Sequence, residues 1–270
     1  LLTLCFLFIN GLAIKTFAQN QAKAFDTILK ELFADEDGPG GTALVIKNGK
    51  TIYKKAFGKA NLELGVPMQP EHIFRIGSIT KQFTACAILK LAEEGKLSLQ
   101  DDFTKYVEDY PTHGHTITIE HLLTHTSGIK SYTNIKKWDL EAHKRDFTPT
   151  EMIDWFKNEP MEFAPGTKFN YNNSAYFLLG YIIEQVSGKT YAEYINDTFF
   201  QPLGMKNSSY GGSLKIVKNR AAGYQKMEVY KNADFLSMTQ PYGAGSLLSN
   251  VVDLSIWYHA VNSGKVISKS

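Results

Sequence analysis

Apolar residues recur at helical spacing in three parts of the chain. Segments 22–33 and 83–92 carry apolar residues on one helical face, and 175–186 is apolar almost throughout. Such patterns are typical of amphipathic and buried helices. Gly95 follows the second segment, where a glycine commonly ends a helix. We therefore expect three helices, the second of them central to the fold.

Two runs of β-forming residues lie between the first two predicted helices. They cover 42–47 and 50–57 and are separated only by Asn48 and Gly49, the strongest short-range signal of a tight hairpin. Helical patterns dominate again from about 97–204. The order of elements predicts an α+β fold, an antiparallel β-sheet flanked by helices with a mostly helical insertion.

The composition is that of an ordinary globular domain. The chain has 270 residues, of which 43% are hydrophobic and 21% are charged, enough for one large domain over 19–270. The formal net charge of +2 argues against a nucleic-acid partner. The sequence indicates no metal and no cofactor, and it leaves the oligomeric state open.

The first 18 residues differ from the rest. Residues 1–14 are almost wholly apolar and are followed by Lys15, and Thr16 and Ala18 are small residues at the positions that a signal peptidase recognises. We expect a bacterial signal peptide over 1–18, a periplasmic or secreted protein, and no stable membrane insertion after cleavage. An uncleaved anchor is the alternative. Outside this segment Cys86 is the single cysteine, so no disulfide is expected.

A serine and a lysine stand one helical turn apart at the start of the second predicted helix. At this spacing Ser78 and Lys81 share a face, so a neutral Lys81 amine could take the Ser78 proton as the oxygen attacks a carbonyl. The helix dipole there favours an alkoxide and disfavours a protonated lysine. The alternative is that Ser78 is only a helix cap. A second Ser-x-x-Lys, Ser127 and Lys130, contains Gly128 and is predicted to straddle a turn.

A tyrosine and an asparagine lie in the turn-rich loop before the third predicted helix. Tyr171 and Asn173 follow Pro165 and Gly166 in this loop, which could present a phenol and an amide to a cleft. A phenol beside a cationic lysine could shuttle protons to and from Ser78 and a leaving group. The alternative is a tyrosine packed at a helix N-terminus.

Other candidates have a structural explanation as well as a functional one. His121 and His125 are four residues apart and could bind a metal, but no third ligand is suggested. Asp101 and Asp102 are interpreted as a helix cap rather than a catalytic pair. Tyr242, between glycine-rich residues, could line a cleft or pack on the core.

Five segments in this order resemble the serine β-lactamase and penicillin-binding-protein family, in particular the branch of class C β-lactamases, DD-carboxypeptidases and esterases. The resemblance covers residues 39–262. The segments that carry it are 74–83, 121–129, 165–176, Pro202 to Met205, and Ala244 to Ser246 with Asp253 and Trp257. A single segment of this kind would be weak evidence, whereas five in the family's order are specific.

The resemblance implies a role for each site residue. Ser78 would be the acylated nucleophile, with its backbone N–H as one oxyanion donor. Lys81 would be the general base, Tyr171 the second acid/base, and Asn173 a group that binds the substrate amide and holds Lys81. The implied protein is an exported serine hydrolase acting on D-Ala-D-Ala-type peptides, β-lactams or small esters. The alternative is a noncatalytic binding or sensing protein of the same fold.

The chain departs from the family at its end. The family's third motif, Lys-Thr-Gly or His-x-Gly on a strand, does not occur after Trp257. We therefore expect a fragment whose C-terminal part is missing. Substrate choice depends on loop shape and on that strand, so the sequence does not separate a carboxypeptidase from an esterase or a β-lactamase.

Overall fold

The computed structural model describes residues 22–212 and 214–268. The predicted signal peptide over 1–18 lies outside these residues. The described residues form two compact units. The first contains residues up to Ile73 with Lys218–Ala233 and Asn250–Ser255, and the second contains Phe74–Val217, Asp234–Ser249 and the residues from Ile256 onward.

The first unit is built on the predicted hairpin. Strands β1 (Gly41–Lys47) and β2 (Lys50–Phe57) pair antiparallel. Asn48 and Gly49 both have positive φ, 51° and 73°, as a tight turn between twisted strands requires. The predicted first helix is present as α1, which covers residues 22–32.

Helix α1 packs on β2 through aromatic rings and one ion pair. The rings of Phe25 and Tyr53 lie 5.3 Å apart. Asp26 pairs with Lys55 at 2.7 Å and also accepts a hydrogen bond from the Tyr53 hydroxyl at 2.6 Å. Two short hairpins complete the strands of this unit. They are β3 (Lys59–Asn61) with β4 (Val66–Pro67), and β7 (Tyr224–Lys226) with β8 (Tyr230–Asn232).

The second unit is mostly helical around a small antiparallel sheet. In that sheet β9 (Leu247–Ser249) lies between β5 (Phe74–Arg75) and β6 (Ser209–Tyr210). All three β9 residues are buried. The helices follow in chain order: α2 (Thr80–Glu93), α3 (Ile119–Leu123), α4 (Leu140–Lys144), α5 (Pro149–Phe156), α6 (Asn173–Ser187), α7 (Tyr191–Ile195), α8 (Gln201–Leu203) and α9 (Val251–Asn262), the last of which begins in the first unit.

Helix α2 is central to the second unit, as the apolar pattern predicts. Phe83 is fully buried, and its ring stacks 4.0 Å from Trp257 and meets Phe200 edge-on at 5.6 Å. Cys86 is buried on the same helix, and this burial raises the pKa of its thiol to about 11. Aromatic rings of this size dominate the energetics of a core. Helices packed around antiparallel strands confirm the α+β class that the sequence predicts.

No helix in the described part of the chain combines the length and the apolar composition that a bilayer crossing demands.

Candidate active site

The small sheet brings two loops together at one end. Because β5 and β9 are antiparallel, the end of β5 meets the start of β9, and the Ile76 N–H donates to the Leu247 carbonyl at 3.1 Å. The Leu247 N–H in turn donates to Thr80 Oγ1 at 3.1 Å. Ser78 and the residues just before β9 therefore share one corner of the unit.

Ser78 lies just ahead of α2. It occupies a 3-10 turn, Gly77–Ile79, and α2 begins at Thr80 with Ile79 in the capping position and no side-chain capping bond. The alternative that Ser78 is a simple helix cap is therefore wrong. Ser78 is exposed to solvent, and its Oγ is free of any capping role at the positive end of the helix.

Lys81 is buried in the first turn of α2. Its side chain is 7% exposed, and its amine donates to Asn173 Oδ1 at 2.9 Å and to the Ala244 carbonyl at 2.8 Å. The third hydrogen-bonding position of the amine faces Ser78 Oγ, which lies 3.3 Å from Lys81 Nζ. Burial lowers the pKa of Lys81 to about 8, because a desolvated ammonium is less stable than a hydrated one.

Tyr171 stands on the other side of Ser78. Its hydroxyl donates to Ser78 Oγ at 2.7 Å, and its side chain is 44% exposed. The Lys81 amine lies 4.8 Å from the centre of the Tyr171 ring. A substrate that reaches Ser78 from solvent therefore meets a hydroxyl that contacts both a phenol and an amine.

Asn173 is held in one orientation at the first position of α6. Its Nδ2 donates to Thr133 Oγ1 at 3.2 Å, and its backbone N–H donates to Ser131 Oγ at 3.1 Å. With its NH₂ group turned to Thr133, its Oδ1 faces Lys81; this amide orientation follows from the hydrogen-bond network.

The carbonyl that binds Lys81 lies in a tight turn just before β9. Tyr242 has φ of 42°, a strained value for a tyrosine. Position 243 requires a glycine because the turn passes close to α6: a Cβ there would lie 2.6 Å from the Tyr176 carbonyl oxygen. The Gly243 carbonyl accepts from Thr84 Oγ1 at 2.6 Å, and this bond ties the turn to α2. Helices α2 and α6 together hold the Ala244 carbonyl in place.

The second Ser-x-x-Lys forms no such constellation. Ser127 Oγ accepts from the Ile129 N–H at 3.3 Å, and Lys130 pairs with Glu159 at 3.7 Å. Gly128 between them has φ of 75°. The two side chains therefore serve the turn that the sequence predicts.

The two histidines considered for metal binding have other partners. His121 Nδ1 accepts from the Thr118 N–H at 3.2 Å as part of the α3 capping box, and His125 Nδ1 accepts from the Asn172 N–H at 3.1 Å. Within residues 22–212 and 214–268, no three His, Cys, Asp or Glu side chains gather as a metal ion would need.

The remaining candidates are structural. Asp102 caps the 3-10 turn Phe103–Lys105, and Asp101 accepts from the Tyr106 hydroxyl at 2.6 Å. Tyr242 is 5% exposed and packs among other aromatic rings. It supports the turn before β9 from within the core.

Several groups in the site were not expected from the sequence. Ser131 and Thr133 orient Asn173. The one sequence feature that could have pointed to them is a pair of hydroxyl residues two apart in the loop after 121–129. The Ala244 carbonyl left no signal, because any residue type supplies a carbonyl. His125 was considered as a metal ligand or a structural residue, but not as a neighbour of Tyr171.

An exposed serine hydroxyl that contacts both a buried amine and a phenol has the arrangement typical of a serine nucleophile with a lysine partner. The sequence profile of the Beta-lactamase family matches residues 25–270. The chain belongs to the Beta-lactamase family. PbpX, a candidate penicillin-binding protein of Bacillus subtilis (strain 168), is 34% identical over 258 residues, which are 95% of this chain and 61% of PbpX.

Solved structures show the same fold. The octameric penicillin-binding protein homologue from Pyrococcus abyssi is 36% identical with a TM-score of 0.77, and the match covers 92% of this chain and 58% of that one. The D-amino acid amidase from Ochrobactrum anthropi SV3, complexed with D-phenylalanine, has a TM-score of 0.81 at 24% identity over 92% of this chain and 72% of its own. This chain spans less than two thirds of the length of PbpX and of the Pyrococcus protein.

Proposed function

We propose that this protein is an exported serine hydrolase that forms an acyl-enzyme on Ser78. The observation that carries the proposal is the position of Ser78 Oγ, 2.7 Å from the Tyr171 hydroxyl and 3.3 Å from the Lys81 amine. A nucleophile within hydrogen-bond reach of a base that is itself held by other groups is the general signature of covalent catalysis.

In the acylation step a bond forms between Ser78 Oγ and the substrate carbonyl carbon, and the Ser78 proton moves to neutral Lys81. With a pKa of about 8, about a tenth of the Lys81 amines are neutral at pH 7. Hydrogen bonds to Asn173 and Ala244 use the two N–H groups of that neutral amine and leave its lone pair for Ser78. The oxyanion would accept a hydrogen bond from the Ser78 backbone N–H.

To complete acylation the bond to the leaving group breaks, and the phenol of Tyr171 protonates that group. The proton held by Lys81 then restores the phenol. In the second half of the reaction water attacks the ester carbonyl and gives a proton to the same pair. The bond between the carbonyl carbon and Ser78 Oγ breaks, the pair returns the proton to Ser78 Oγ, and the acid leaves. Proton transfers of this kind typically contribute 10²- to 10⁴-fold to a rate.

The proposed substrates are D-Ala-D-Ala-type peptides, β-lactams and small esters. PbpX and the Pyrococcus protein carry penicillin-binding names, which supports peptides and β-lactams, and the amidase of the same fold was solved with D-phenylalanine. Export is proposed from residues 1–18; cleavage after Ala18 would leave Gln19 as the N-terminus, a result that the mass of the protein recovered from a bacterial host tests.

Incubation with benzylpenicillin, a D-Ala-D-Ala peptide and a p-nitrophenyl ester tests the proposal, with intact mass and turnover as readouts. We expect a covalent adduct or turnover with at least one of them and neither with Ser78→Ala. A long-lived penicillin adduct identifies a peptidase-like enzyme, and rapid penicillin turnover identifies a β-lactamase. If the folded protein gives no adduct and no turnover with any of the three, the binding-protein alternative replaces the hydrolase.

A further inference from the structure

His125 has an unusual backbone conformation two residues after α3. Its φ is 60°, in the left-handed region that favours glycine. Asparagine and histidine are tolerated there better than most residues, yet a glycine would hold this conformation with less strain. The imidazole therefore has to offset that cost through contacts that glycine lacks.

Two hydrogen bonds of His125, one to its backbone and one to its imidazole, flank Tyr171. The His125 carbonyl accepts from the Asn170 N–H at 2.9 Å, and His125 Nδ1 accepts from the Asn172 N–H at 3.1 Å. One residue thus binds the backbone N–H groups of both neighbours of Tyr171. The loop that carries the phenol has its backbone anchored to the end of α3.

The imidazole ring also packs directly on the phenol. Its centre lies 4.7 Å from that of Tyr171, 4.9 Å from that of Tyr176 and 5.9 Å from that of Phe169. The titratable groups facing His125 include Lys81 from α2, Tyr171 from the loop and Tyr176 from α6. Burial and the charge of Lys81 lower the pKa of His125 to about 4. The ring is therefore neutral at pH 7, as an Nδ1 acceptor must be, with its proton on Nε2.

We infer that His125 is a positioning residue that holds the Tyr171 phenol on Ser78 by fixing the loop backbone on both sides of Tyr171. The inference rests on the proposed function, since it assigns His125 to the proton transfer made by that phenol. It concerns positioning, because the ring acts on the reacting atoms through Tyr171.

Two substitutions distinguish the contribution of the imidazole acceptor from that of the His125 backbone carbonyl. His125→Gly suits the left-handed φ and keeps the carbonyl, but it removes the acceptor. His125→Asn also suits that φ, and its Oδ1 takes the place of Nδ1. We expect kcat/KM for an amide to fall about 10- to 100-fold in the glycine variant, because small displacements of a catalytic group have effects of this size. The asparagine variant should recover most of that loss.

The leaving group provides a readout that general loosening of the fold would not change. A p-nitrophenyl ester expels a stable anion, whereas an amide needs a proton from Tyr171. The glycine variant should therefore lose several-fold more activity on the amide than on the ester. In a Tyr171→Phe background the same substitution should have almost no further effect. Equal losses on both substrates, or an undiminished effect in that background, would overturn the inference.

His121, four residues earlier and within α3, supplies a matched control. Its Nδ1 also accepts a hydrogen bond from a backbone N–H, but from that of Thr118 and not from a neighbour of Tyr171. His121→Asn should leave the amide-to-ester ratio unchanged after correction for folded protein. A change equal to that of the His125 variants would contradict a specific role for His125.

The ¹⁵N spectrum of histidine-labelled protein tests the contact without any enzymatic assay. The His125 signals are identified in the wild-type protein by the through-space contacts of this imidazole with the rings of Tyr171 and Tyr176. At pH 7 we expect an unprotonated Nδ1 and a protonated Nε2, and a proton on Nδ1 would refute the inference even if every variant failed to fold. If the wild-type protein shows the expected tautomer but neither acylation nor turnover, the proposed function has failed and the structural anchoring has not.

Discussion

The rate at which Ser78 is acylated should follow the titration of Lys81, a lysine whose pKa is lowered by burial. Lys81 is 7% exposed, and burial lowers its pKa from the ordinary 10.5 to about 8. Its position in the first turn of α2 acts in the same direction, because the helix dipole disfavours a cation there. Only the neutral amine accepts the Ser78 proton, so the rate should be proportional to its fraction.

The expected magnitude follows from that pKa. Between pH 6 and pH 8 the neutral fraction rises about 50-fold, and between pH 8 and pH 10 it rises only about 2-fold. A lysine with an ordinary pKa of 10.5 would instead gain roughly 75-fold between pH 8 and pH 10. The upper interval therefore distinguishes the two cases.

The assay is the second-order rate constant for labelling by a fluorophosphonate, followed by intact mass from pH 6 to pH 10. Ser78→Ala is the control for labelling elsewhere. The pKa of His125, about 4, lies outside this range. A rate that does not change from pH 6 to pH 8, or that climbs steeply to pH 10, would refute the assignment of neutral Lys81 as the base.

Three further predictions concern the groups around Lys81. Asn173→Ala should move the rising part of that pH profile about one pH unit lower, because the Asn173 amide oxygen is a hydrogen-bond acceptor that favours the charged amine; no displacement would exclude this contact in solution. Thr84→Val should lower the free energy of unfolding in urea by about 2 to 4 kcal/mol, since it leaves the Gly243 carbonyl and the Tyr191 hydroxyl without their shared partner; a change below ~0.5 kcal/mol would contradict it. The free energy of unfolding of the wild type relative to that of Lys81→Met should rise between pH 8 and pH 10.5, by up to roughly 3 kcal/mol, because Lys81 is protonated in the unfolded chain and neutral in the native one in this window; a constant difference would contradict the lowered pKa, and the comparison cancels the opposing contribution of Cys86, whose pKa is raised.

The site residues could be predicted because their chemistry depends on residue type and spacing. Ser78 and Lys81 are three residues apart, and Tyr171 and Asn173 flank the start of an apolar helix; the structure brings all four together. The hairpin over 41–57 could be predicted for a similar local reason, an Asn-Gly pair between two β-forming runs.

The small sheet and the backbone ligand of Lys81 could not be predicted. Strands β5, β6 and β9 are two or three residues long, too short for a periodic pattern, and their pairing joins distant parts of the chain. The Ala244 carbonyl carries no residue-type signal. The left-handed conformation of His125 depends on packing around Tyr171, which no local pattern specifies.

The position of a fluorophosphonate adduct tests the central claim most directly. Trypsin cuts after Arg75 and Lys81 and so isolates the six residues 76–81, which contain Ser78. The account predicts that the adduct lies on Ser78 in this peptide and is absent from Ser78→Ala. An adduct on another residue, or no adduct on the folded protein, would contradict it.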